Sequence, residues 1–391
     1  MVAAIICEYN PIHNGHIYQI EQIKKELKPD AIIAIMSGDY VQRGEPSIFS
    51  KEVRTKMALD AGVDILFLLP VCYATSGAEL FAYGAVSLLN RLGVVDYLCF
   101  GSECGDLEVL NEISDKIMSV SSNDYQIQQY LKEGMTFAKA RALMFPEYVS
   151  ILENPNNILA IEYINALKTL SSIIKPYTIK RIGCPHDSDI TNSTFSSASA
   201  IRSCIFNKET QKIIQSINYD VESLSKNNPP VCLDFFSDEL FYKLSSEKDN
   251  LHEYYEMTTD LENRIKNNLN SYKCPTQFIE VLKTKNYTYS RISRALLHVL
   301  LNIKGNSDYY KNLLPKITHI RILGLNKKAS YILKKIEQHN DLKATFKVTA
   351  ITDELNKETA SMLETEIFVS SLFDSKINVN IPEYSKKQII V

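Results

Sequence analysis

Short apolar segments alternate with helix-like segments over the first hundred residues of this chain. The apolar segments are β-prone and recur about thirty residues apart, at Val2–Ile6, Ala31–Met36, Ile65–Leu69 and Val95–Phe100. The helix-like stretches lie between them, at His16–Leu27, Ser50–Ala61 and Gly77–Leu92. Strands and helices that alternate at this spacing predict βαβ units, and hence a parallel sheet with helices on both faces.

The crossovers of such units are nearly always right-handed, so we expect a Rossmann-like, doubly wound parallel sheet of the α/β class. A fifth strand is predicted at Tyr177–Ile182, and a helix follows near Ser197–Phe206. In sheets of this class, ligands bind in the crevice beyond the carboxyl ends of the strands. Residues that directly follow a strand are therefore the first candidates for a functional site.

The polar segment Ser216–Pro230 ends in a double proline and indicates a domain boundary. We predict an N-terminal α/β domain over residues 1–210 and a C-terminal region over residues 211–391. Within that region, residues 231–315 are predicted to be helical and residues 316–391 to form a small α/β unit. The strands of that unit are expected near His319–Leu323 and Thr345–Ile351.

The eight cysteines contain no CxxC pair and are too scattered for a disulfide framework in a chain of 391 residues. The first apolar run lacks the basic flank of a secretion signal. The longest later run, Ile65–Cys72, is far shorter than a membrane-spanning helix. We therefore expect a soluble, cytoplasmic protein without a membrane partner.

The first strand is followed by an H-x-G-H sequence at the start of the first helix, formed by His13, Gly15 and His16. A helix N-terminus favours anions, and a glycine allows the backbone to approach a phosphate closely. Two imidazoles one turn apart can both donate to phosphate oxygens, so His13 and His16 are the candidate catalytic residues. A simple capping role is the alternative, whereas a zinc pair lacks a third ligand at metal spacing.

The second strand is followed by the sequence SGDYVQRGEP. Arg43 can bind a carboxylate or phosphate there, and Gln42 can hold a polar edge of the substrate. Lys51 and Arg54 follow, and for these two a solvated face and a ligand contact are both open. Arg202 lies behind a run of serines at a later helix start and is a further candidate for substrate binding.

The motifs EYNPIHNGH, SGDYVQRGEP, FGSE, NPNNILAIEY and SSASAIR follow one another over about the first 205 residues. In this combination and order the chain resembles the tRNA(Met) cytidine acetate ligase family, which has the HxGH-type nucleotidyltransferase fold. The resemblance implies an ATP-using enzyme that adenylates acetate. The acetyl group is then passed to the wobble cytidine of elongator tRNA(Met), which becomes N4-acetylcytidine. Mg²⁺ is expected to bridge the phosphates, although no carboxylate motif indicates it.

On that resemblance, the ATP-binding loop consists of Ile6, Cys7, Glu8, Tyr9, Asn10, Pro11, Ile12, His13, Asn14, Gly15, His16, Ile17, Tyr18 and Gln19. Further ATP contacts are implied at Gly101, Asn157, Arg181 and Ile182. Asn156 is an equally good candidate for the contact assigned to Asn157.

Residues 263–335 carry fifteen Lys or Arg and only two acidic residues, whereas the whole chain has a net charge of −3. Such asymmetry indicates a polyanionic partner, and interleaved tyrosines suit the stacking of unpaired RNA bases. A lysine-rich solvated surface is the alternative.

Four residues of this basic segment are candidate RNA contacts. Ser290 is expected to cap a helix that carries Arg291 and Arg294 on one face, with Leu297 and Leu301 turned inward. The other two candidates, Lys327 and Lys328, follow the strand predicted near residue 320.

Two other functions remain open from the sequence. A small-molecule nucleotidyltransferase that moves AMP or CMP onto a phosphorylated metabolite would share the first domain but leave the basic segment without a purpose. An RNA-binding protein that only senses ATP would use the basic segment, but it would not need an intact H-x-G-H sequence.

Overall fold

The computed structural model describes residues 1–120, 124–132, 140, 142–182, 194–285, 287–339, 342–346, 355–379 and 381–391. The strands in these ranges are β1 (Val2–Cys7), β2 (Ala31–Ser37), β3 (Tyr40–Val41), β4 (Glu45–Pro46), β5 (Ile65–Leu69), β6 (Tyr97–Ser102), β7 (Lys175–Lys180), β8 (His319–Leu325), β9 (Lys343–Thr345) and β10 (Ile389–Ile390). The predicted strand near Thr345–Ile351 lies mostly outside the described residues.

The helices of the N-terminal half are α1 (Asn14–Glu26), α2 (Lys51–Asp60), α3 (Val71–Ala74), α4 (Ala78–Leu92), α5 (Leu107–Ser119), α6 (Tyr125–Lys132), α7 (Val149–Leu152), α8 (Pro155–Thr169) and α9 (Ala198–Phe206). Those of the C-terminal half are α10 (Val221–Asn227), α11 (Ser237–Ser246), α12 (Thr259–Asn268), α13 (Pro275–Leu282), α14 (Tyr289–Leu300), α15 (Ser307–Leu313), α16 (Ser330–His339) and α17 (Lys357–Lys376). None of the described helices has the length and apolar character needed to cross a membrane.

One sheet contains every strand except the β3–β4 hairpin, in the order β10-β8-β5-β2-β1-β6-β7, with β9 also paired to β8. Strands β5, β2, β1, β6 and β7 are mutually parallel. Alternate residues of β1 enter two different cores. Val2 and Ala4 pack with α4 and α8, whereas Ala3 and Ile5 pack with α1 and α2. Burial on both faces explains the continuous apolar runs, and the predicted doubly wound α/β sheet is confirmed.

Strand β8 joins this sheet with the opposite direction. It pairs antiparallel with β5, and Leu325 at its end lies opposite Ile65 at the start of β5. Residues 316–391 were predicted to form a small α/β unit, and in the structure their strands β8 and β10 extend the N-terminal sheet. Helices α11 to α15 also pack into the core on the α4 face. The domain boundary near residue 210 stays a prediction.

The C-terminal helix α17 is tied to the N-terminal half by buried charges. Lys51 is 2% exposed, and its Nζ lies 2.8 Å from Asp39 Oδ2 and 3.1 Å from Glu383 Oε1. Ser370 of α17 donates to the same Asp39 carboxylate at 2.8 Å. Both roles left open for Lys51, a solvated face and a ligand contact, are therefore wrong, because the first turn of α2 is covered by the C-terminal segment.

Glu366 of α17 provides a pH-dependent test of this packing. Its carboxylate accepts a hydrogen bond from Val71 N–H, and burial raises its pKa from 4.5 to about 7. The unfolded chain releases this proton at lower pH than the folded protein, so folding stability falls as pH rises from 4.5 through 7. We expect Glu366→Gln to match the wild type at pH 5 and to exceed its free energy of unfolding at pH 8 by about 2 kcal/mol. Urea titrations at both pH values measure this, and equal stabilities at pH 8 would contradict it.

Candidate active site

The loop between β1 and α1 is closed by its two histidines. His13 is the N-cap of α1, and its Nδ1 accepts a hydrogen bond from Gly15 N–H at 3.1 Å. His16 Nδ1 accepts from His13 N–H at 3.3 Å. The two rings are stacked with their centroids 3.8 Å apart, and the Tyr9 ring meets His16 edge-on at 5.0 Å. The capping role considered as an alternative is thus present, and these two capping contacts are made by Nδ1 of each ring.

These contacts determine which nitrogen of each neutral imidazole carries the proton. Since Nδ1 accepts in both rings, the proton lies on Nε2, which is a donor. Burial, the adjacent His13 ring and the Arg181 charge hold the pKa of His16 well below its ordinary value. His16 is therefore neutral near pH 7 and offers an N–H rather than a positive charge.

Gly15 has a second role besides the predicted approach to phosphate. A Cβ atom at this position would lie 2.9 Å from Cε1 of the His13 ring, which is closer than real Cβ contacts. The glycine thus lets the imidazole fold back over the helix start.

A fully buried arginine stabilises the loop between β1 and α1 through hydrogen bonds to backbone carbonyl oxygens. Arg54 is 0% exposed, and its guanidinium donates to the carbonyl oxygens of Glu8 at 2.6 Å and Ser37 at 3.1 Å. It also donates to Phe49 O at 3.0 Å and to Gly38 O. Both roles left open for Arg54 are wrong, because its donors join the chain segments that leave β1 and β2. No signal in the sequence distinguishes such an arginine from a surface one.

The predicted substrate residues Gln42 and Arg43 lie in the turn of the β3–β4 hairpin. Gln42 N–H donates to Glu8 Oε1 at 2.8 Å, which holds the hairpin over the end of β1. Gly44 has a φ of +81° and packs directly on helix α14, where an added Cβ would lie 2.3 Å from Arg294 N. Its carbonyl accepts from Ser293 Oγ at 2.8 Å. The structure thus brings together two motifs that are 249 residues apart in the chain.

Arg202 acts between the loop and the hairpin in this structure. Its Nη1 donates to Asn10 O at 2.9 Å, and its Nη2 lies 3.0 Å from Glu45 Oε1. The side chain is 16% exposed. These contacts connect the loop after β1 to the β3–β4 hairpin. Direct substrate binding by Arg202 stays a prediction.

The other predicted ATP contacts lie at the ends of β6 and β7. Asn157 is 1% exposed, and its Oδ1 accepts from the N–H groups of Glu103 at 2.9 Å and Cys104 at 3.1 Å. Asn156 donates to the Glu103 carboxylate and accepts from Arg181 Nη1 at 3.5 Å. The two asparagines therefore differ, since Asn157 shapes the turn whereas Asn156 orients Arg181.

The carboxylate of Glu103, in the FGSE motif, connects Asn156, Asn157 and Arg181, a role that the sequence did not indicate. Gly101 and Ile182 lie at the same edge of the sheet, and their contacts with ATP stay predictions. At Gly101 an added Cβ would lie 3.2 Å from Arg181 Cγ, and Ile182 is 52% exposed.

The four predicted RNA contacts do not share one surface. Helix α14 begins at Tyr289 after the N-cap Thr288, so the expected cap at Ser290 is wrong, because the helix starts two residues earlier. Arg291 lies over the Tyr287 ring at 5.7 Å. Arg294 is 13% exposed, and its Nε lies 2.9 Å from Glu256 Oε2. Leu297 and Leu301 are buried as predicted.

Lys327 and Lys328 follow the end of β8. Because β8 is antiparallel to β5, they lie at the edge opposite the histidine loop, where Lys328 Nζ is 3.4 Å from Asp64 Oδ1. The RNA role of all four cations stays a prediction, but only Arg291 and Arg294 belong to the helix that touches the hairpin.

A metal site built from protein ligands is not evident in the described part of the chain. Those residues contain no group of three His, Cys, Asp or Glu side chains that could hold an ion. A Mg²⁺ ion would therefore depend on phosphate oxygens and water for most of its ligands, which is how this ion usually binds.

Three comparisons place the chain among known proteins. A family model described as HIGH Nucleotidyl Transferase matches residues 1–388. The tRNA(Met) cytidine acetate ligase of Thermoanaerobacter sp. (strain X514) is 40% identical over 386 residues, covering 95% of this chain and 94% of that protein. The protein of that name from Clostridium acetobutylicum is 37% identical over 412 residues, with all of both chains covered.

Solved structures agree with the sequence relatives. The crystal structure of Thermotoga maritima TmcAL bound with alpha-thio ATP covers all of both chains with a TM-score of 0.89 and 28% identity. The apo form of the same protein has a TM-score of 0.90. The chain therefore belongs to the HIGH nucleotidyl transferase family and, within it, to the tRNA(Met) cytidine acetate ligase family.

Proposed function

We propose that this protein is an ATP-dependent ligase that acetylates the wobble cytidine of elongator tRNA(Met) to N4-acetylcytidine. The observation that carries the proposal is the paired-histidine loop, which presents two Nε2 donors at a helix start in a chain whose relatives have this name. Acetate attacks the α-phosphorus of ATP, pyrophosphate leaves, and the acetyl adenylate then acylates the cytidine amine. The absence of a disulfide framework in the sequence supports a cytoplasmic location.

The first half-reaction uses residues at the carboxyl edge of the sheet. His13 and His16 donate through Nε2 to phosphate oxygens as negative charge develops there, which is the main way that proteins accelerate such transfers. The residues of the 6–19 loop hold the triphosphate, and Gly101, Asn157, Arg181 and Ile182 border the nucleoside. Gln42 and Arg43 bind acetate next to the loop. Mg²⁺ supplies charge neutralisation on the phosphates when it is bound.

The second half-reaction needs an RNA surface that reaches the hairpin. Helix α14 meets this need, since Gly44 packs on its first turns while Arg291 and Tyr287 lie at its start. A guanidinium and an aromatic ring suit a phosphate and an unpaired base of an anticodon loop.

The opposite positions of Arg291 and Lys327 allow a matched test of the RNA surface. We expect Arg291→Gln to weaken binding of unmodified tRNA(Met) about five- to tenfold and to lower the salt slope by about one, as for one lost phosphate contact. Lys327→Gln removes the same charge at the far edge of the sheet, and we expect a smaller loss because this predicted contact lies away from the anticodon loop at the hairpin. Filter binding at several salt concentrations measures both, and equal losses in the two variants would contradict this placement.

The function itself is tested by incubating bulk tRNA with the protein, ATP and labelled acetate, followed by nucleoside analysis. We expect the label in N4-acetylcytidine, and acetate-dependent ATP–pyrophosphate exchange without tRNA. Exchange that depends on a phosphomonoester would favour a small-molecule nucleotidyltransferase. Tight tRNA binding without any modified cytidine would favour a protein that only senses ATP.

A further inference from the structure

We propose that the carboxylate of Glu8 accepts the proton that the cytidine amine loses when it is acetylated. The inference rests on the proposed function and concerns its second half-reaction. In that step the amine nitrogen attacks the carbonyl carbon of acetyl adenylate, and a C–N bond forms. The bond from this carbon to the bridging phosphate oxygen breaks, and AMP leaves with the electron pair. One N–H proton must pass to a base and then to solvent.

The two histidines of the loop are not suited to this proton transfer. His13 Nδ1 accepts from Gly15 N–H, and His16 Nδ1 accepts from His13 N–H. Each Nε2 then carries a proton and has no lone pair to offer as a base. The arrangement that makes the rings good phosphate donors therefore excludes them as proton acceptors.

The carboxylates at the same edge of the sheet differ in the hydrogen bonds and ion pairs that they already form. Asp39 is buried against Lys51 at 2.8 Å, and Glu45 lies 3.0 Å from Arg202. Glu103 accepts from Asn156 and from Asn157 N–H. Glu8, in contrast, forms no ion pair with any described residue and accepts its one described side-chain hydrogen bond from Gln42 N–H at 2.8 Å. Among the described carboxylates of this edge, Glu8 has the most remaining acceptor capacity.

The backbone holds Glu8 at a defined place. The residue follows the last residue of β1, and its carbonyl accepts from the buried Arg54 at 2.6 Å. Its carboxylate lies against the Gln42–Arg43 turn, and its neighbour Tyr9 packs against His16, so Glu8 is held between two segments that carry predicted ligand contacts. Such rigidity is what a base needs to meet a proton in one geometry.

The charges around Glu8 set its proton affinity. Burial raises the pKa of the Glu8 carboxyl, against the lowering effects of the Gln42 N–H, Arg202 and Arg43. Other titratable or charged groups facing it are Glu45 on the hairpin, Arg54 on α2, Tyr163 on α8 and Cys7 on β1. A raised pKa makes the ionised carboxylate a stronger base at neutral pH than an ordinary glutamate.

The test separates the two half-reactions of the full-length protein. Glu8→Gln keeps an oxygen for Gln42 N–H but removes the base. Because Glu8 belongs to the loop that holds the triphosphate, acetate-dependent ATP–pyrophosphate exchange is measured in the same preparation, and we expect its loss to be at least about tenfold smaller than the loss in acetyl transfer. Acetyl transfer from acetyl adenylate to unmodified tRNA(Met), measured in a single turnover, should fall about 10²-fold or more. In a plot of transfer rate against pH, the wild-type rate should rise as the carboxyl group ionises in the acidic range. This acidic limb should be missing for Glu8→Gln.

Glu45→Gln is the matched control, because it makes the same change on the hairpin and can still accept from Arg202. It should keep both the transfer rate and the acidic limb. Transfer by Glu8→Gln at the wild-type rate, or an equal loss of both half-reactions, would overturn the inference, since the carboxylate would then serve only to anchor the loop. A wild-type protein without acetate-dependent exchange would overturn the proposed function, and the inference with it.

Discussion

Replacing His16 by alanine should abolish acetate-dependent pyrophosphate release while the protein stays folded. The variant loses the Nε2 donor that the structure presents at the helix start, and one such donor typically accounts for about 10²–10³-fold in rate. The same change leaves His13 N–H without its acceptor, which costs only about 1 kcal/mol of folding stability. Exchange of labelled pyrophosphate into ATP, followed with and without acetate, measures the effect.

A second histidine provides the control for this experiment. His252 is 56% exposed and lies far along the chain in the helical region, so His252→Ala should exchange pyrophosphate like the wild type. Binding of tRNA should be unchanged in both variants. Pyrophosphate release by His16→Ala at the wild-type rate would show that the imidazole has only its capping role.

Replacing Arg54 by methionine should cause a large loss of folding stability. Methionine fills most of the same volume but removes all the guanidinium donors to these four carbonyl oxygens, of which Phe49 O keeps its hydrogen bond from Ser47 Oγ. Charged hydrogen bonds of this kind contribute about 1.5–3 kcal/mol each, although their contributions do not add fully. We therefore expect a loss of at least about 3 kcal/mol in the free energy of unfolding, measured by urea titration at pH 7.

Two further variants make the Arg54 result interpretable. Arg54→Lys keeps the charge but has only three donors on one nitrogen, so its stability should lie between those of the wild type and Arg54→Met. Lys56→Met on the same helix changes a residue that is 64% exposed and should alter stability by no more than about 0.5 kcal/mol. A free energy of unfolding of Arg54→Met within about 0.5 kcal/mol of the wild type would show that the Arg54 hydrogen bonds do not stabilise the fold.

The basic segment shows how far a count along the chain departs from an arrangement in space. Within the described residues, eight of its fifteen cations form ion pairs, at positions 266, 283, 294, 304, 311, 316, 321 and 328. All but Lys283 pair with carboxylates outside the segment. Much of the excess positive charge is therefore neutralised by nearby carboxylates, mostly within the C-terminal half, whereas Lys311 and Lys328 pair with Glu79 and Asp64 of the N-terminal half. The electrostatic argument for RNA is correspondingly weaker, and it depends on the cations near the hairpin.

The candidate site was predictable where it follows a strand. The H-x-G-H sequence and the QRG turn come directly after β1 and β2, and in a parallel sheet such positions meet at one edge. Glu8 was included only as part of the loop, and Arg54 was placed on the surface or against a ligand. Their roles depend on the partners Gln42 N–H and the carbonyl oxygens of two separate loops, which no local pattern records.

The amino-acid sequence by itself determined the α/β class, the parallel strands β1, β2, β5, β6 and β7, and the position of the histidine loop. These features depend on periodicity and spacing within about forty residues, where side-chain alternation and helix starts are local properties. Only the tertiary structure decided that β8 enters the same sheet in the antiparallel direction. That direction, together with the contact of Gly44 with Ser293, results from packing between segments more than two hundred residues apart. Such packing selects among many pairings that are equally compatible with the local pattern.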